Sequence, residues 1–451
     1  MKNITRILGV AAAMALVIAG SGCSGTSSNN GSSGGGNVYF LNFKPEVADV
    51  YDKIVADYKA ETGVTVKVLT AASGTYEQTL TSEIAKSSPP TIFQINGPVG
   101  YANWKDYTAD LSGSDLYKHL SDQSLAVTAG GGVYGIPYVV EGYGIIYNQA
   151  IMAKYFALPD KAVAISDTDQ ITSFPLLKQV VEDMTLHKAA LGISGVFSAT
   201  SLAPGEDWRW QTHLANVPFY YEFKDNKTDL TQGTPAEVTF KYSPNMQGLF
   251  DLYLNNSTTD KTQVGSKTVD EAMAEFALGQ SAMVQNGNWG WNQVADVQGN
   301  TVKAADVGFL PLYIGAPNEQ DQGICIGTEN YFSINSKVSA ADQKASLDFL
   351  YWLFSSETGK KYVTNDLKFI APFDTFSAGQ GPDDPLAQDV MAWMAKPNIT
   401  SVSWSAFQVF PSQDWKNNFG ADLLSYAQGK MEWAAVTADV VATWKTQAAH
   451  Q

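Results

Sequence analysis

Val38-Tyr-Phe-Leu41, Val64-Thr-Val-Lys-Val-Leu69 and Thr91-Ile-Phe-Gln-Ile95 are three short apolar runs separated by two stretches of helical spacing. In the first stretch Val47, Val50, Tyr51, Ile54, Val55 and Tyr58 recur at intervals of three and four, and Gly63 supplies the stop. In the second, residues 76–87, Leu80, Ile84 and Ala85 share one face ahead of the breaker Pro89-Pro90. Strand, helix, strand, helix, strand in this order predicts a parallel sheet with crossover helices. Ligands of such sheets sit at the carboxyl ends of the strands. Those ends are Asn42-Phe-Lys44, residues 71–75 and Gln94-Ile-Asn96.

Further along, Gly130-Gly-Gly132 precedes Val133-Tyr-Gly-Ile-Pro-Tyr-Val-Val-Glu141 and then Gly142-Tyr-Gly-Ile-Ile-Tyr-Asn148. Two extended segments thus meet at a glycine-rich junction that holds one carboxylate, Glu141. A helix over 269–278 runs through Gly279-Gln-Ser-Ala-Met-Val284 into Gln285-Asn-Gly-Asn-Trp-Gly-Trp291. Strands are expected over 307–313 and 324–334. Helices are expected over 340–354, 359–364, 419–427 and 432–447.

At the other end, Lys2 and Arg6 precede an apolar run over 7–19, long enough for a signal peptide and too short to span a bilayer comfortably. It leads to Ala19-Gly-Ser-Gly-Cys23, which resembles the lipobox of bacterial lipoproteins, with Gly20 where Leu is usual. Residues 1–22 are therefore read as a signal peptide and Cys23 as the lipidated first residue of the mature chain. Residues 23–37, nearly all Ser, Gly, Thr and Asn after the cysteine, form a flexible tether. Membrane attachment is expected to depend on Cys23. A Cys23→Ser variant should appear in the medium or remain unprocessed on cell fractionation; normal processing with undiminished attachment would refute the lipobox.

Losing Lys2 and Arg6 takes the formal net charge from −16 to −18. So acidic a surface argues against nucleic acid and anionic headgroups as partners. The other cysteine, Cys325, lies in apolar Gly-Ile-Cys-Ile-Gly and reads as a buried strand residue, so the fold rests on a core rather than on disulfides. About 415 residues after the tether exceed one ordinary core and imply two domains.

Four stretches in this order resemble the family of ABC-transporter extracellular sugar-binding proteins that includes maltose-binding protein. They are Tyr58-Lys-Ala-Glu-Thr-Gly-Val-Thr-Val66; Gly132-Val-Tyr-Gly-Ile-Pro-Tyr138 leading to Tyr147-Asn148; Phe276-Ala-Leu-Gly-Gln-Ser-Ala-Met283 with Asn286-Gly-Asn-Trp289; and Tyr426-Ala-Gln-Gly-Lys430. The similarity covers nearly all of residues 38–447. It implies an α/β, two-lobed periplasmic-binding-protein-like fold of type II, with a hinge crossed three times, near 139–142, 310–312 and 362–369. The N-terminal lobe is then 38–140 plus 312–362, and the C-terminal lobe 141–311 plus 363–451. It further implies an oligosaccharide ligand, ABC permease subunits as partners, a monomer, and attachment to the outer face of the cell membrane through the lipid anchor. No cofactor and no enzymatic activity are implied.

The resemblance carries roles onto particular residues. Glu141 matches a carboxylate at the first crossing that contacts sugar hydroxyls, and Trp289 a Trp that stacks on a sugar ring. A second stacking Trp corresponds loosely to Trp415, with Trp404 competing. Asn42 and Lys44 are candidates in the first strand's loop, and Asn96 at the third strand's end. Trp208, in Glu206-Asp-Trp-Arg-Trp210 with His213 following, either walls the cleft or packs as a helix start. Asn330 either faces the cleft or makes turn contacts. A sugar site needs such aromatic plates beside groups that donate and accept hydrogen bonds.

Catalytic motifs lack their context. Gly31-Ser-Ser-Gly-Gly35 lies in the tether with no strand before it. Gly130-Gly-Gly132 with Gly135 is followed by extended chain rather than a helix. His119, His187, His213 and His450 show no zinc spacing, and Asp167-Thr-Asp169 lacks the rest of a calcium loop. Abundant carboxylates leave a secreted glycosidase as the alternative.

Overall fold

The computed structural model describes residues 36–72, 74–377 and 379–450; the expected signal peptide, Cys23 and nearly all of the expected tether fall outside them. The three opening runs form β1 (Val38–Asn42), β2 (Val66–Thr70) and β3 (Ile92–Ile95), and β1 pairs in parallel with both others. Between them lie the helices Ala48–Thr62 and Tyr76–Ile84. Gly63 ends the first helix in the left-handed conformation at φ 77°, donating its N–H to Lys59 O, a geometry that costs glycine little.

Next come β4 (Val127–Ala129), β5 (Gly132–Pro137), β6 (Glu141–Asn148), β7 (Gly195–Phe197), β8 (Ser281–Gly287), β9 (Val307–Leu310), β10 (Gln322–Gly327), β11 (Tyr331–Ile334) and β12 (Thr400–Ser403). They make two six-stranded sheets. The first has the order β2-β1-β3-β11-β5-β4; the second has β12-β10-β6-β8-β7, with β9 also paired to β6. Apolar side chains cover both faces of each sheet, giving the mixed α/β architecture of two lobes. Buried Cys325 sits in β10, where burial pushes its thiol up to about 12.

Two expected boundaries move. Residues 324–334 are two strands rather than one: β10 pairs with β6 and β12, whereas β11 pairs with β3 and β5. The chain therefore leaves the second sheet at 328–330, not at 310–312, and Leu310, Leu312 and Ile314 stay in the second lobe's core. Likewise Val363, Leu367, Phe369 and Phe373 pack in the first lobe's core, with Ile370 among them touching the second lobe's, and Leu386 is the next residue buried there. The chain from 363 to 376 thus packs mainly on the first lobe, with Ile370 touching the second, rather than joining the C-terminal lobe at 363. Apolar alternation reports that a strand is buried but not which sheet takes it.

Candidate functional site

The carboxyl end of β1 carries Asn42 and Lys44. The Asn42 amide turns back on its own loop: it donates to Lys44 O (2.8 Å) and Thr70 Oγ1 (3.2 Å), and its Oδ1 accepts from Lys44 N (3.1 Å). This local pattern fixes the loop and aims Lys44. Both amide hydrogens of Asn42 are thus used within the protein, and its Oδ1 keeps one lone pair. Lys44 Nζ reaches Glu141, the first residue of β6, at 2.8 and 3.0 Å. Both side chains are buried, so one ion pair joins the first lobe to the start of the second. Burial works against the Lys44 charge, but Glu141 and Glu46 outweigh it and hold the amine above its ordinary range. Burial pushes the Glu141 carboxyl up, with Lys44 pulling the other way.

Opposite this pair stands an aromatic cluster. Trp289 follows β8 in a single turn, Asn288–Gly290, and its indole lies over Gly287, where a Cβ would collide with the ring. Asn288 holds the turn by accepting from Gly142 N at 2.9 Å. Around Trp289 stand His213 (ring centroids 5.4 Å apart), Trp208 (6.0 Å), Trp404 (6.3 Å) and Tyr143 (6.5 Å). Tyr143 and His213 stack at 4.1 Å with planes 5° apart. Lys44 Nζ is 5.9 Å from the Trp289 ring centre, so the ion pair and the cluster border one space. Trp208 opens a π-helical stretch, Arg209–Leu214, whose widened turn carries both Arg209 and His213. The Arg209 guanidinium lies 3.8 Å over the Trp208 ring.

The lobes also meet at Gln408, which donates to Thr328 O (2.5 Å) and Tyr331 Oη (2.9 Å) and lies against Gly97. Several buried polar atoms nearby have no hydrogen-bond partner among the described residues. They include Trp289 Nε1, Trp404 Nε1, His213 Nδ1, Arg209 Nη1, Thr328 Oγ1, Gln94 Nε2 and Asn96 Oδ1. Gln94 is a clear case: its Oε1 accepts from Phe43 N at 2.6 Å, which leaves the amide nitrogen over. Native proteins leave few such groups orphaned, and a concentration of them marks a place made for a polar guest.

Of the candidates from sequence, Trp289, Trp208, Glu141 and Lys44 come together here. Asn96 stands at the start of helix Gly97–Trp104, and Asn330 is buried in the 328–330 connection. Trp415 does not join them. It is fully buried among Phe410, Phe419 and Trp444, and its indole N–H donates to Val440 O at 3.2 Å. Trp404 takes the place beside Trp289, and Gly327 makes room for its ring. Sequence reasoning missed Gln94, Gln408 and Lys416. The one signal was for Gln94, at the carboxyl end of a strand.

A comparison with curated protein sequences yields no match. Among solved structures the chain is similar to a chitin oligosaccharide binding protein, with a TM-score of 0.69 and 18% identity over 92% of this chain and 99% of that one. It is similar to the solute-binding protein RafE in complex with raffinose, with a TM-score of 0.67 and 16% identity over 91% and 99%. A sugar transporter protein from Bacillus licheniformis in complex with stachyose gives a TM-score of 0.65 and 16% identity over 91% and 100%. The family model described as bacterial extracellular solute-binding protein matches residues 53–392, three-quarters of the sequence, and the chain belongs to that family.

Proposed function

We propose that the chain is the sugar-binding receptor of an ABC importer: a lipid-anchored protein that closes two lobes on an oligosaccharide and hands it to permease subunits. The observation that carries this reading is the Trp289–Trp208–Trp404–His213 cluster, set among orphaned polar atoms and bordered by the Lys44–Glu141 pair. Indoles offer flat apolar faces to pyranose rings, and the orphaned donors and acceptors match hydroxyls. The fold neighbours named above were solved with, or named for, oligosaccharides. The proposed attachment rests on Cys23 in its lipobox-like stretch; among the described residues no helix is long and apolar enough to cross a membrane.

The glycosidase reading needs two carboxyl groups free to act on a glycosidic bond. Both oxygens of Glu141 are engaged by Lys44. Tryptophan fluorescence titration against α-glucosides, α-galactosides, β-xylosides and β-mannosides tests binding, with product analysis of the same mixtures. Saturable quenching and a raised melting temperature with intact sugar support the receptor. Turnover that co-purifies with the protein would replace that reading with the enzyme.

A further inference from the structure

Four basic side chains are buried among the described residues, Lys44, Arg209, His213 and Lys416; the first three border the aromatic cluster, and the helix that carries Lys416 packs against the π-helical stretch that carries Arg209 and His213. They arrive from the loop after β1, from the π-helical stretch, and from the first turn of the helix Gln413–Ala427. Glu141, Glu46, Glu329 and Glu77 stand in the same region, so what distinguishes the four basic groups is how directly each is paired.

The four differ in what neutralises them. Lys44 has Glu141. Arg209 Nε donates to Asn286 Oδ1 at 3.3 Å, but its buried Nη1 has no partner and no carboxylate lies at ion-pair distance among the described residues. His213 Nδ1 is equally unpartnered. Lys416 is 8% exposed; its backbone N–H donates to Ser412 O at 3.2 Å, and its amine makes neither an ion pair nor a hydrogen bond among the described residues. It also sits near the positive end of its helix dipole, where a cation adds to the potential. Glu329 and Glu77 are the opposing charges that act on it, beyond ion-pair reach; burial pushes both carboxyls up and the Lys416 amine down. A buried charge without a counter-charge is costly, and a ligand that supplies one offsets that cost.

We propose that the sugar taken by this cleft is acidic, a uronic acid-containing oligosaccharide whose carboxylate sits against Lys416 and His213, with Arg209 behind Trp208. This rests on the receptor reading above. The carboxylate gives Lys416 its missing partner and accepts from His213 Nδ1, while the indoles hold the sugar's CH faces.

Two matched pairs test it by fluorescence titration: trigalacturonic acid against its carboxyl-reduced, neutral counterpart, and glucuronic acid-substituted xylotriose against xylotriose. At least one acidic member should bind about tenfold or more tighter than its neutral partner. Lys416→Met should bring that ratio near one with the fold intact by circular dichroism. Lys416→Gln serves if the Met variant fails to fold, and the wild-type ratio stands by itself. Neutral members binding as well as or better than acidic ones would overturn the proposal and leave the receptor reading in place. An acid preference that survives both Lys416 variants would overturn the seat assigned here. Absence of binding by all members, together with the neutral panel above, would remove the receptor reading itself.

Discussion

Lys44→Met should destabilise the protein by about 3–5 kcal/mol, because it strands Glu141 as a buried carboxylate without its cation. Glu141 is 3% exposed and Lys44 6% exposed, so water cannot replace the lost partner without opening the junction. The next carboxylate, Glu46, lies 3.5 Å from Lys44 Nζ and adds repulsion at Glu141 once the amine is gone. Glu141→Met should cost a similar amount by stranding Lys44. The double variant Lys44→Met/Glu141→Met should recover most of the loss, since an apolar pair of similar volume leaves no charge to desolvate. Equilibrium urea unfolding of the four proteins forms a double-mutant cycle. Single losses under about 1 kcal/mol that simply add would mean the pair behaves as a surface bridge.

That pair also shows how far the sequence could be read. Both residues stood out, Lys44 at a strand's carboxyl end and Glu141 as the lone carboxylate in a glycine-rich junction. Each was read as a ligand contact, because a sequence 97 residues apart says nothing about two side chains meeting. The opening strands and helices were legible because periods of two and near four report burial directly, and Gly63 stopped its helix as expected. The split of 324–334 was not, because both halves are equally apolar and the sheet that takes each is a tertiary choice. Lys416 was invisible for the same reason: an isolated lysine in a helix is ordinarily solvated, and only the packed lobes reveal it as buried.

The tryptophans offer the sharper test, because burial by protein and burial by ligand have different signatures. Trp415→Ala should cost about 3–5 kcal/mol of unfolding free energy, since it empties a volume walled by Phe410, Phe419 and Trp444 and removes the indole's hydrogen bond to Val440 O. Among the variants that still fold, sugar affinity should change little. Trp289→Ala should do the reverse. Its indole is only partly buried, its Nε1 has no partner, and it borders the space next to Lys44. Truncating a stacking anchor of this kind removes about 2 kcal/mol or more, roughly thirtyfold in affinity. Some stability should also be lost, because Trp208, Trp404 and His213 lean on the ring, but less than for Trp415. Calorimetric titration with the tightest sugar from the panel, beside unliganded melting curves, separates the two. If Trp289→Ala bound sugar as tightly as the wild type, the site would have to move off this cluster. If it unfolded as readily as Trp415→Ala, the indole would be a core residue that the cleft merely touches.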